Sequence, residues 1–182
     1  PLHALRTHEN NSPHSENRGR RMRRAVITGS FDPVTSGHLD LIRRAADIFD
    51  EVYAVIVFNA EKKSGMFSPE DRLKLLECAI SELGENVHAD MFSGLTSDYI
   101  HSVGAKFIVR GARNATDYDY EHNLSLIMKR FDSEFETIIL PSSPSLSAVS
   151  STYVRELLKY GCDLGDAVPD SCRELMLELY HK

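Results

Sequence analysis

The chain has 182 residues and a net charge of −6, with 42% of its residues hydrophobic and 26% charged. That is the size and make-up of one folded domain, and it excludes a multidomain assembly, a disordered or collagen-like chain and a disulfide-stapled miniature. Residues 1–24 hold six arginines against two glutamates, and the rest carries 15 basic and 25 acidic residues; so acidic a body excludes sequence-independent nucleic-acid binding and requires that any bound anion meet a local basic pocket.

Residues 1–21, rich in His, Asn and Arg and without an apolar segment, read as a disordered tag or upstream extension before Met22. The alternative is a basic arm for an acidic partner. No secretory pattern occurs there, so the expected location is cytoplasmic. The longest apolar run, residues 52–58, is too short to cross a bilayer, and no membrane partner is expected.

Residues 22–182 form the expected single domain. Short apolar runs at 24–28, 51–58, 87–91, 106–109 and 137–140 read as buried strands. Between and after them, stretches with helical periodicity fall at 38–49, 69–83, 97–103, 117–131, 152–160 and 172–180. The second helix carries its own start signal, Ser68-Pro69-Glu70-Asp71, with a capping serine, proline at the first helical position and acid in the first turn. Gly161 ends the fifth helix and Pro169 helps start the sixth. Strands alternating with helices predict an α/β fold, a Rossmann-like doubly wound sheet of about five parallel strands with helices on both faces.

The dinucleotide fingerprint and the P-loop are both absent, as are the zinc-protease and serine-hydrolase motifs. The cysteines, Cys78, Cys162 and Cys172, lack metal-site spacing and do not form a disulfide framework, while His88, His101, His122 and His181 are scattered. Tyr118 and Tyr120 read as packing residues at a helix start. After the first strand comes Thr28-Gly29-Ser30-Phe31-Asp32-Pro33-Val34-Thr35-Ser36-Gly37-His38, a loop rich in glycine and hydroxyls that feeds a helix. Ligands of open α/β sheets bind outside the carboxyl ends of the strands, where a helix N-terminus offers free amides to phosphate. The loop is therefore either a phosphate site or a plain strand end with a helix cap.

Thr35-Ser36-Gly37-His38 behind Gly29-Ser30-Phe31-Asp32-Pro33 resembles the T/H-x-G-H signature of the nucleotidyltransferase superfamily, and Val149-Ser150-Ser151-Thr152 resembles its second element, I-S-S-[ST]. Between them, the segment from Arg110-Gly111-Ala112-Arg113 through Asp117-Tyr118-Asp119-Tyr120-Glu121 resembles R-G-x-R-x-x-x-D-[FY]-[ED]-Y-E of the bacterial phosphopantetheine adenylyltransferases. Lys62-Lys63 before Met66-Phe67-Ser68 is similar to the lysine loop of the same family.

That resemblance implies transfer of AMP from ATP to 4'-phosphopantetheine, giving dephospho-coenzyme A and pyrophosphate. It also implies a homohexamer, feedback inhibition by coenzyme A, and Mg2+ held mainly by ATP oxygens and water rather than by a protein metal site. His38 would meet the α-phosphate, Ser30 would steer the attacking phosphate, and Lys62 and Arg110 would bind it. Arg113 with Ser150, Ser151 and Thr152 would hold the β- and γ-phosphates, Glu121 would contact ribose or base, and Thr96 would face the pantetheine arm. Phe31, Gly111, Ala112 and the stretch Leu146-Ser147-Ala148-Val149 complete the implied ATP site.

The chemistry of the residues fits such a transfer. A phosphomonoester is already mostly dianionic at neutral pH, so its attack requires no general base, and positioning plus charge stabilisation supply the rate. Arg110, Arg113 and Lys62 at strand ends predict a basic pocket in the acidic body, although Asp117 and Glu121 are close enough in sequence to pair with the two arginines. Departures from the family pattern are Met128 in place of Asn, Thr96 in place of an apolar residue, Leu146-Ser147-Ala148 in place of a more aromatic segment, and a lysine loop lengthened by Ser64-Gly65, which leaves Lys62 and Lys63 as alternatives.

Overall fold

A computed structural model describes residues 21–60 and 65–182. The expectations for residues 1–20 and for Lys62 and Lys63 lie outside the described residues.

Five strands, β1 (Arg24–Gly29), β2 (Glu51–Val57), β3 (Val87–Phe92), β4 (Phe107–Ala112) and β5 (Glu136–Pro141), form one sheet. Its order is β3-β2-β1-β4-β5, and every neighbouring pair is parallel. The helices are α1 (Ser36–Ile48), α2 (Pro69–Ile80), α3 (Thr96–Ser102), α4 (Ala115–Phe131), α5 (Ser151–Lys159) and α6 (Asp170–Tyr180). Each predicted element is present, with ends shifted by no more than about three residues. One shift matters for function. β4 runs on through Arg110, Gly111 and Ala112, which the sequence placed beyond the strand, because these residues remain in register with Ile139, Leu140 and Pro141 of β5.

Alternation along β1 sends Ala25 and Ile27 into one layer and Val26 into the other. The first layer packs Ile42 and Ala45 of α1, Leu75 and Leu76 of α2, Val154 and Leu158 of α5 and Met176 of α6. The second is smaller, joining Val55, Ile108 and Phe135 to Tyr99 and Ile100 of α3. From α4 it receives only the half-buried Met128, and no residue of α4 is fully buried. Tyr118 and Tyr120 accordingly stand 50% and 65% exposed, so the sequence reading of them as packing residues is corrected. Tyr120 borders a cleft, and the inward face of this helix meets pockets instead of a filled core.

Helix starts follow from capping chemistry. Ser68 accepts the Asp71 amide, Asn114 accepts the Asp117 amide and Ser150 accepts the Tyr153 amide. The three cysteines are free thiols; burial pushes the Cys172 thiol up to about 12. Among the described residues no helix is long and apolar enough to cross a membrane.

Candidate active site

The strand order reverses between β1 and β4, so the connections leaving these two central neighbours run to opposite sides and open a crevice at their carboxyl ends. A cleft of about 400 Å3 lies there. Its walls come from the end of β1, the N-terminus of α1, the end of β4, the first half of α4, and the loop that leads into α5.

Of the residues singled out in the sequence, Phe31, His38, Arg110, Gly111, Arg113, Glu121, Leu146, Val149, Ser150 and Ser151 line this cleft. Ser30 faces a neighbouring depression with Asp32, Gly65, Met66, Arg72, Arg155 and Lys159. Thr96 lines a separate apolar pocket, Ala112 borders a shallow hollow with Arg113 and Tyr118, and Ser147, Ala148 and Thr152 are exposed outside the cleft lining.

His38 occupies the third position of α1 and forms a reciprocal cap with Thr35. The Thr35 hydroxyl accepts the His38 amide at 3.3 Å, and the Thr35 amide donates to His38 Nδ1 at 3.1 Å. An accepting Nδ1 puts the proton of the neutral ring on Nε2. Loss of hydration, with a smaller contribution from the Arg113 charge, lowers the His38 pKa from the ordinary 6.5 to about 4. At neutral pH the ring is thus an uncharged Nε2–H donor at the cleft wall. The Phe31 ring packs against it at 4.9 Å between centroids, and Phe31 itself takes a left-handed φ of 42° to do so.

Two helix N-termini, those of α1 and α5, converge on the same cleft, as Thr35, Gly37, Ser150 and Ser151 in its lining show. A helix leaves its first amides without an internal acceptor, and the Ser36, Gly37, Ser151 and Thr152 amides are of that kind. A methyl group at Gly37 would stand 3.6 Å from Thr35 Oγ1 and 3.9 Å from the Val149 carbonyl, ordinary contacts. Protein packing therefore does not demand glycine here, and its missing side chain leaves the cleft floor open. The Ser150 hydroxyl is used as the α5 cap and the Ser151 hydroxyl donates to the Pro33 carbonyl at 2.9 Å, so the amides of this motif are better placed than its hydroxyls to meet an anion.

The arginines are not bare cations, and the expected basic pocket is corrected on this point. Arg110 makes a two-pronged pair with Glu121 at 2.6 and 2.9 Å, while its Nη1 donates to the Thr28 carbonyl and hydroxyl, each at 2.9 Å. Four of its five N–H donors are engaged, which leaves one on Nη2 for a ligand. Arg113 donates through Nε and its backbone amide to Asp117, and this pairing is what holds the Asp117 carboxyl below the usual range. Neither Nη group of Arg113 makes a hydrogen bond among the described residues, so its terminal fork is available. A third pair, Arg44 with Asp40, ties α1 to β5, since Arg44 donates to the Pro141 carbonyl and Ser143 donates to Asp40. Each positive charge carries a negative neighbour, and attraction for an anion rests on free N–H groups and helix ends.

Sequence reasoning missed Asp40 and Arg44, whose spacing of four on α1 was a readable signal. It also missed Asp32, Arg72 and Arg155. Asp32 is buried, pairs with Arg72 at 3.2 Å, and accepts the amides of Met66 and Phe67. This clamp fastens the loop after β1 to the start of α2. Arg155 spans the two motifs, with Nη1 on the Asp32 carbonyl at 2.6 Å and Nη2 on the Thr152 hydroxyl at 3.0 Å. No local pattern announces the Asp32–Arg72 pair or the Arg155–Asp32 contact, because those partners come from distant segments.

Beside the cleft lies an apolar pocket of about 390 Å3, walled by Leu95, Ile108, Leu124, Met128, Phe131 and Phe135 among others. Thr28, Arg110 and Glu121 belong to both linings, so the Arg110–Glu121 pair is the partition between them. Among the described residues no group of three or more His, Cys, Asp or Glu side chains could hold a metal ion.

A parallel sheet with a Gly-His helix start at its switch point, a second helix start opposite, and arginines between them defines an α/β protein of the nucleotidyltransferase type. The chain belongs to the cytidylyltransferase-like family, whose model matches residues 26–157. Its fold is also that of a protein from Vibrio parahaemolyticus assigned as a nicotinate-nucleotide adenylyltransferase, with a TM-score of 0.65 and 20% identity over 86% of this chain and 99% of the other.

Proposed function

We propose that this protein is an adenylyltransferase that moves AMP from ATP to 4'-phosphopantetheine, releasing pyrophosphate and forming dephospho-coenzyme A. The observation that carries the choice of acceptor is the apolar pocket joined to the cleft through Thr28, Arg110 and Glu121. A long, weakly polar arm ending in a phosphate matches that arrangement: the arm lies among Leu124, Met128 and Phe135, and the phosphate reaches the remaining Arg110 donor.

In this reading the triphosphate lies across the amides at the starts of α1 and α5 and the free fork of Arg113. The acceptor phosphate oxygen attacks the α-phosphorus in line, the bond to the bridging oxygen breaks, and pyrophosphate leaves. The neutral His38 ring donates Nε2–H to a non-bridging α-phosphate oxygen as negative charge builds there. Magnesium, arriving on ATP, would screen the β- and γ-phosphates, with Asp40 the cleft carboxylate on α1 nearest in chain to His38. Lys62 is retained as a proposed ligand of the acceptor phosphate, and coenzyme A as a proposed inhibitor through the same two pockets.

A second reading, nicotinate mononucleotide as acceptor, draws support from the fold shared with the Vibrio protein. Pyrophosphate release from ATP, measured with each acceptor in parallel, separates the two. Release with phosphopantetheine, lowered about a hundredfold or more by His38→Ala, is expected. Release with nicotinate mononucleotide alone transfers the assignment to the second reading, and release with neither rejects both.

A further inference from the structure

We propose that Cys78 and Cys172 are a peroxide-oxidisable pair that closes to a disulfide joining α2 to α6. The inference does not rest on the transfer reaction, and neither cysteine lines the cleft or the apolar pocket. α2 and α6 pack against each other, and the contact sets the last turn of α2 on the start of α6. There the Cys78 thiol donates to the Ser171 carbonyl at 3.1 Å and the Cys172 thiol to the Pro169 carbonyl at 3.5 Å, so both sulfurs rest on backbone oxygens at one helix end. A carbonyl oxygen lies about 2.8 Å from the next Cα, which puts Cys78 Sγ within about 6 Å of the Cys172 Cα. Disulfides join Cα atoms about 4.4–6.8 Å apart, so rotation of the two side chains and a small shift of the helices bring the sulfurs to bonding distance.

The two thiols differ in a way that assigns their roles. Cys78 is half-buried and Cys172 fully buried, so a small hydroperoxide meets Cys78 first. Burial, and after it the neighbouring Cys78, pushes the Cys172 thiol up to about 12, which keeps it protonated and inert to peroxide by itself. The Cys78 thiolate attacks one peroxide oxygen and the O–O bond breaks; the departing alkoxide takes up the proton lost by Cys78, leaving an alcohol and a sulfenic acid on Cys78. The Cys172 sulfur then attacks the Cys78 sulfur, the S–O bond breaks, and the leaving hydroxide takes the Cys172 proton as water. Two thiols and one hydroperoxide thus give one disulfide, one alcohol and one water, two electrons having passed from sulfur to oxygen. Both cysteines already pack in one core layer with Leu75, Leu76 and Met176, so the bond forms without opening the sheet. It fastens the C-terminal helix to the helix that carries Arg72, the partner of Asp32.

Hydrogen peroxide added to the full chain, followed by iodoacetamide, tests this directly. Endoproteinase Asp-N cuts before Asp163, Asp166 and Asp170 and so separates Cys162 from Cys172. Mass spectrometry without reduction should find the Cys78 and Cys172 peptides joined and lighter than their sum by two hydrogens, and dithiothreitol should release them. The exposed Cys162 should stay outside the bond. Loss of the Cys172 thiol should keep pace with loss of the Cys78 thiol and should slow about tenfold or more in Cys78→Ser, while Cys162→Ser changes neither. Cys172→Ala, which keeps the site apolar, should leave Cys78 without a disulfide and keeps the test decisive if Cys78→Ser does not fold. A joined peptide containing Cys162, a disulfide between two chains, or Cys78 carried on to the sulfinic acid with Cys172 still a thiol overturns the proposal. So does the absence of reaction at either cysteine, or a bond that forms only in chain unfolded by urea.

Discussion

Replacing Asp32 by alanine should destabilise the protein by about 3–5 kcal/mol, the usual loss when one member of a buried ion pair is deleted and the other charge is stranded. The geometry supports the upper part of that range. The Asp32 and Arg72 side chains are 9% and 5% exposed and 3.2 Å apart, and the same carboxylate accepts the Met66 amide at 2.9 Å and the buried Phe67 amide at 2.9 Å. Alanine leaves a guanidinium and two amides without that acceptor, and the costs overlap because the groups share one cavity. For a domain of this size the loss corresponds to a fall of roughly 10 °C in Tm. Urea unfolding followed by far-UV circular dichroism measures it, and a cycle with Arg72→Met should show the double variant less destabilised than the two single effects added. A loss for Asp32→Ala below about 1 kcal/mol, or strict additivity in the cycle, would refute the claim that the clamp holds this loop.

Gly65, beside the same clamp, and His38, in the cleft, give three further outcomes. Gly65 has φ of +128°, and a methyl there would fall 1.7 Å from Arg72 Nη2, so Gly65→Ala should destabilise by about 1–3 kcal/mol or more, measured in the same urea experiment. His38 should titrate near 4 by 15N NMR, with its proton on Nε2 at neutral pH; a midpoint near the ordinary 6.5 would contradict the loss of hydration assigned to the ring. Since its folded pKa lies below the unfolded value, the unfolded chain binds more protons between about 4 and 6.5. The stability contributed by the neutral ring is complete above about pH 6.5 and is lost as the pH falls toward 4, and His38→Gln should flatten that part of the stability profile.

Much of the cleft was legible because its chemistry is local. The Thr35-to-His38 cap, the Ser150 cap and the Arg113–Asp117 pair each join residues three or four apart, and a helix start brings such residues together without help from the rest of the chain. Arg110 was legible as a cation but not as a partition. Its contacts reach back to Thr28 on β1 and across to Glu121 on α4, and only the pairing of β4 with β1 and β5 places all three at one point.

Apolar periodicity and capping residues by themselves determined the succession of strands and helices, since both act within a few residues of the backbone they shape. They also determined that a Gly-His helix start follows the first strand. The strand order β3-β2-β1-β4-β5 is what put that helix start beside the second one, and the Asp32–Arg72 clamp, the Arg155 bridge and the absence of buried residues along α4 were decided with it. These depend on which distant surfaces meet, and burial and charge pairing settle that only once the whole sheet is assembled.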